Sequence, residues 1–97
     1  MLEFLKEYEI SDNVIKMIEK ENSKANVYNF SCNADEIGKI LNYFRSLNIN
    51  CINDLLIYRI QIFFNSYEDI LKCFSKYNIT SLVEKINEDF TIIDEIN

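Results

Sequence analysis

Proline is absent from this 97-residue chain, and Gly38 is its only glycine. The missing glycines deprive β-hairpins of residues suited to positive φ, and the missing prolines leave helix interiors unbroken, so helices are favoured. Histidine is also absent, which removes the side chain most used for proton transfer near neutral pH and as a metal ligand. The three cysteines, Cys32, Cys51 and Cys73, form no Cys-x-x-Cys pair and are odd in number. They predict reduced, mostly buried thiols rather than a zinc site or a disulfide framework. No apolar run reaches the roughly 18 residues of a membrane span, and Glu3 and Glu7 stand in the first turns, so a cytoplasmic protein without a membrane segment is expected. Basic residues are scarce. Ten Lys and Arg against sixteen Asp and Glu give a net charge of −6, a poor basis for phosphate-backbone binding, which draws its affinity from counterions released by cations. A partner protein with a basic surface fits better.

What is abundant is apolar: hydrophobic residues make up 48% and include seven Phe and six Tyr, enough to fill one core in one domain spanning 1–97. A nine-residue pattern recurs three times, as Leu2-Glu3-Phe4-Leu5-Lys6-Glu7-Tyr8-Glu9-Ile10, as Leu41-Asn42-Tyr43-Phe44-Arg45-Ser46-Leu47-Asn48-Ile49 and as Leu71-Lys72-Cys73-Phe74-Ser75-Lys76-Tyr77-Asn78-Ile79. Each reads as a last helical turn running into a polar stop. The fold expected is all-α, a small bundle of short helices stacked as about three irregular helical-hairpin repeats.

Taken in order, Leu2, Phe4, Leu5 and Tyr8 suit a short first helix. Ser11 can cap the next, with Asp12 in its first turn and Val14, Ile15 and Ile18 buried, Met17 being a further candidate. Apolar periodicity stops near Asn22-Ser23. From Ser23 to Ser31 the chain lacks helix signals, and Val27, Tyr28 and Phe30 fit either a short extended segment or a loop. Asn33 and Glu36 form a capping-box pattern for a helix running to about Leu47, with Ile37, Ile40, Leu41, Phe44 and Leu47 on its apolar face. Asparagines around Ile49 mark a turn. Ile52, Leu55, Leu56, Ile60, Phe63 and Phe64 keep helical spacing, although the β-branched and aromatic run from Ile57 to Phe64 leaves a strand as the local rival. Ser66 can cap a helix burying Tyr67, Ile70, Leu71 and Phe74. Ser81 and Glu84 form another capping box before Leu82, Val83, Ile86 and Phe90, and the tail after Thr91 reads as one more short helix.

The Leu-x-x-Phe-x-x-Leu-x-Ile helix end at Leu41–Ile49, then Asp54-Leu55-Leu56, Arg59, Ile62-Phe63 and Ser66-x-Glu68-x-Ile70, resembles the helical repeat of the mitochondrial transcription termination factor family. The resemblance spans about two thirds of the chain. It implies a curved stack of helical repeats that grips double-stranded nucleic acid through basic residues. Ile60 stands where the family's proline usually follows the arginine.

Chemistry is harder to find. Asp35/Glu36, Glu68/Asp69, Glu88/Asp89 and Asp94/Glu95 are neighbours on helices or their ends and point about 100° apart, so they suit solvated faces better than a shared substrate atom. Cys32 precedes a helix start but has no histidine to act as its base. Asp12, Asp54 and Asp89 fit no calcium loop, and no glycine-rich segment cradles a phosphate. No enzyme activity, cofactor or metal is expected. The function expected is that of a small acidic intracellular helical module binding a partner protein with a basic surface, one that itself handles nucleic acid being an example. Its carriers would be Glu68, Asp69, Glu88, Asp89, Asp94 and Glu95, with Arg59 and Tyr58 as further contacts. A nucleic-acid-binding helical repeat is the alternative, with Arg59 and the lysines on one face, and a homodimer through an uncovered apolar face is a further option.

Overall fold

The computed structural model describes residues 1–96, among which there are helices and turns and no strand. A 3-10 segment (Glu3–Tyr8) leads into α1 (Asp12–Glu21), α2 (Lys24–Ser31), α3 (Ala34–Ser46) and α4 (Ile52–Tyr58). A second 3-10 segment (Ile60–Phe64) precedes α5 (Tyr67–Phe74) and α6 (Ile79–Glu88), and a third (Phe90–Glu95) follows. The all-α class is as expected. No helix among the described residues is long and apolar enough to cross a membrane.

Serines and an asparagine start most of these helices by accepting an amide that the helix itself cannot satisfy. Ser11 Oγ accepts from Val14, Ser23 from Asn26, Ser66 from Asp69, and Asn78 Oδ1 from Ser81. Two of these correct the sequence reading. Ser23 opens α2 where a loop or extended segment was expected, because a two-turn helix needs only one buried i, i+3 pair, here Val27 and Phe30. Likewise Asn78, not Ser81, caps α6, which begins at Ile79.

The capping box at α3 does not form. Asn33 accepts no amide from its own helix, and its Nδ2 instead donates to the Phe63 carbonyl at 2.9 Å. Glu36, freed from that role, accepts the Tyr67 amide at 3.1 Å and so caps α5 from outside, while its other oxygen pairs with Lys39 at 3.0 Å. The run from Ile52 to Phe64 is neither one helix nor a strand. Arg59, at φ −136° and ψ 45°, breaks it into α4 and a 3-10 turn that buries Ile60 and Phe63 three places apart.

The first two nine-residue copies end alike. Glu9 and Asn48 both take φ 64°, in the left-handed region. The following Ile10 and Ile49 amides reach back five places to the Leu5 and Phe44 carbonyls, and the Glu9 and Asn48 amides reach Lys6 and Arg45. This is the Schellman arrangement, with both isoleucines buried beside the residues they bond. The third copy departs: Asn78, at φ −71°, starts the next helix. Left-handed geometry costs an L-residue about 1–2 kcal/mol, and Glu9 additionally sets a negative charge at a carbonyl end. Glu9→Gly is therefore expected to stabilise the fold by about 1 kcal/mol in urea unfolding, with a smaller gain for Asn48→Gly, since asparagine tolerates this region.

The core is wholly apolar, with no polar or charged residue buried among those described. Its α3 layer of Ile37, Ile40, Leu41 and Phe44 packs on α5 and on the first and second 3-10 segments. Rings run through it in continuous contact, from Phe4 to Phe30, Phe63, Phe44 and Phe74, with centroids 5.6–6.0 Å apart. Met17, a candidate for burial, is exposed instead. So is Phe64, which follows the break at Arg59 and turns away from the stripe it was expected to join.

Candidate functional site

The acidic candidates fall into two settings. Glu68 and Asp69 occupy the first turn of α5, exposed, near the amides left free at that helix start. Close by, the Lys39 ammonium and then the Tyr67 amide hold the Glu36 carboxyl below its usual range. Lys39 is held above its own usual range by Glu36 first, with Asp35 and Glu68 adding to the same effect. Because Glu36 bonds as a carboxylate, its contribution is full above the ordinary glutamate range and is lost as pH falls through that range and through its lowered value. The thermal midpoint of the native chain should exceed that of Glu36→Gln at neutral pH, and the difference should shrink on acidification below the glutamate range.

The second setting gathers the end of α4, Arg59 just after it, Asp89 just after α6, and the last 3-10 segment. Arg59 Nε lies 3.0 Å from both Asp94 carboxylate oxygens, and Nη1 donates to the Tyr58 carbonyl at 2.8 Å. Its guanidinium sits 5.5 Å above the centre of the Phe90 ring, close enough for a cation–π attraction. Tyr58 stacks on the same ring, 5.9 Å away at 20°. Asp89 Oδ1 accepts the Thr91 amide at 3.0 Å and the Thr91 hydroxyl at 2.6 Å. The Thr91 hydroxyl and then its amide hold the Asp89 carboxyl below its usual range, helped by Arg59.

Arg59, Tyr58, Asp89 and Asp94 are thus brought together, but with one another. The acid that Arg59 finds is Asp94, not the Asp54 nearer in sequence. Glu88 and Glu95 stay exposed at the carbonyl ends of α6 and of the last segment, and neither enters an ion pair among the described residues. Tyr77 is exposed, with its hydroxyl 3.4 Å from the Glu95 carbonyl, while Tyr43 lies half buried against Tyr67 and Phe74.

Sequence reasoning missed Phe90 as the centre of this cluster, since it read as one more core position of α6. It also missed Tyr28, at 58% exposure the most open aromatic. The thiols were expected to be mostly buried, yet Cys32 is exposed and Cys51 and Cys73 are only half covered. Burial pushes the Cys51 thiol up, which makes it a poor nucleophile. Among the described residues no three His, Cys, Asp or Glu side chains are grouped to hold a metal ion. Compared with protein-family models, with curated proteins and with solved structures, the chain matches none.

Proposed function

We propose that this protein is an acidic helical binding module that docks a protein partner through a basic patch on that partner, without chemistry of its own. The support is the placement of Glu88 and Glu95. Glu68 and Asp69 stand where a helix start favours negative charge, so local stability accounts for them. Glu88 and Glu95 stand at carbonyl ends, where the dipole disfavours them, and a cation brought by a partner would offset that cost. The net charge of −6 would speed the encounter. The nucleic-acid alternative has less to stand on, since Arg59, its chief carrier, is bonded to Asp94 and stacked on Phe90.

The test is retention of a partner from the native cell on the immobilised chain. A basic protein should be held at low salt and released as salt rises. Glu88→Lys with Glu95→Lys should weaken that retention about tenfold, as expected when exposed attractions become repulsions at two sites. Equal retention by the charge-reversed chain, or retention of duplex DNA instead, would refute the reading.

A further inference from the structure

Asp89 alone separates α6 from the last 3-10 segment. Its backbone is extended, at φ −151° and ψ 104°, and the bend is held by its side chain on the Thr91 amide and hydroxyl. Beyond the bend, the segment buries Ile93 and Ile96 and lays Phe90 on Tyr58 and Asp94 on Arg59. Among the described residues its polar holds are exposed or long. The Arg59 and Asp94 side chains are 33% and 53% exposed, the Tyr77–Glu95 bond is 3.4 Å long, and 3-10 amides bond with poorer geometry than α-helical ones. Open clefts flank the segment on both sides, one lined in part by Gln61, Ile62 and Asn65 and the other by Ser81, Leu82 and Lys85. Clefts thus border the seat, while Ile93 and Ile96 themselves are covered within it.

We propose that this segment exchanges between two copies of the chain, each tail seating Phe90, Ile93, Asp94 and Ile96 in the Tyr58–Arg59 groove of the other. The groove's chemistry selects that occupant: a ring to stack on Tyr58, a carboxylate four places later for the guanidinium, and isoleucines for the apolar seats. A second copy supplies every one of these in the same order. Were Asp89 to turn helical, α6 and the tail would become one rod projecting from the protomer, with its own groove vacated. Exchange of an identical element across a one-residue hinge conserves the contacts of the closed chain and closes with two-fold symmetry.

The experiment uses two full-length variants, Arg59→Asp and Asp94→Arg, studied alone and mixed in equal amounts. Within either chain the tail then meets a groove of like charge. Exchange between the two chains restores an opposite pair at both grooves. The mixture should form a one-to-one heterodimer by native mass spectrometry, associating about tenfold or more above either chain alone, about 1.4 kcal/mol over the two restored pairs. Asp89→Ala, which removes the hold on Thr91 and favours a continuous helix, should raise the dimer fraction of the otherwise native chain. Should the single variants lose helical signal, their mixture should regain it on refolding together. A mixture that stays monomeric, or that fails to regain that signal, overturns the proposal.

Discussion

Phe44→Ala is expected to destabilise the fold by about 3–5 kcal/mol. The ring is fully buried on α3 and touches three others, with Phe63 at 5.9 Å, Phe74 at 5.6 Å and Tyr43 at 6.4 Å. Removing it takes away its transfer from water and leaves a void bounded by rings that are themselves pinned, so the site cannot collapse to fill it. Its backbone carbonyl also receives the Ile49 amide that closes α3. A loosened Phe44 should therefore fray the turn into α4 as well. Against a total of about 5–15 kcal/mol for a domain of this size, the variant should be marginal at room temperature. Phe64→Ala makes the comparison, because that ring is 38% exposed and its loss should cost well under half as much. Urea midpoints of the two variants measure the contrast. Near-equal losses would mean that the ring chain is not the centre of the core.

That contrast also shows what was readable beforehand and what was not. Ile37, Ile40, Leu41 and Phe44 are legible because a helix repeats its buried face every three to four residues, and all four are fully buried. Ser11 and Ser66 are legible because a cap acts on an amide three places away, inside the reach of local pattern. The Asn33–Glu36 box has the same local form and fails for a tertiary reason: Phe63 and Tyr67, thirty-odd residues on, compete for those side chains and win. Arg59 shows the same limit at the candidate site. Its partners Asp94 and Phe90 lie more than thirty positions away, and no periodicity links them. Overall acidity, being a sum over residues, needs no such contacts to be read.

Gly38 supplies the second large effect, and its sign depends on one neighbour. In the interior of α3, replacing glycine by alanine ordinarily gains about 1 kcal/mol. Here a Cβ at Gly38 would come to 2.1 Å from the Tyr8 hydroxyl oxygen and 2.6 Å from the ring carbon that bears it. The phenol cannot yield by bending, since a ring moves as a whole. Either the first 3-10 segment lifts from α3 or Tyr8 leaves its rotamer, and Leu5, fully buried in that segment, resists the first course. Overpacking of this kind costs about 1–3 kcal/mol, enough to outweigh the helix gain. Gly38→Ala should therefore destabilise the native chain, whereas in a Tyr8→Ala background the same substitution should stabilise by up to about 1 kcal/mol. A double-mutant cycle on urea unfolding reads the difference as a coupling of about 2 kcal/mol or more. Were the two effects simply to add, with Gly38→Ala stabilising in both backgrounds, the close seating of Tyr8 on α3 would not exist in solution. The amino-terminal segment would then be a loosely attached flap and not part of the core.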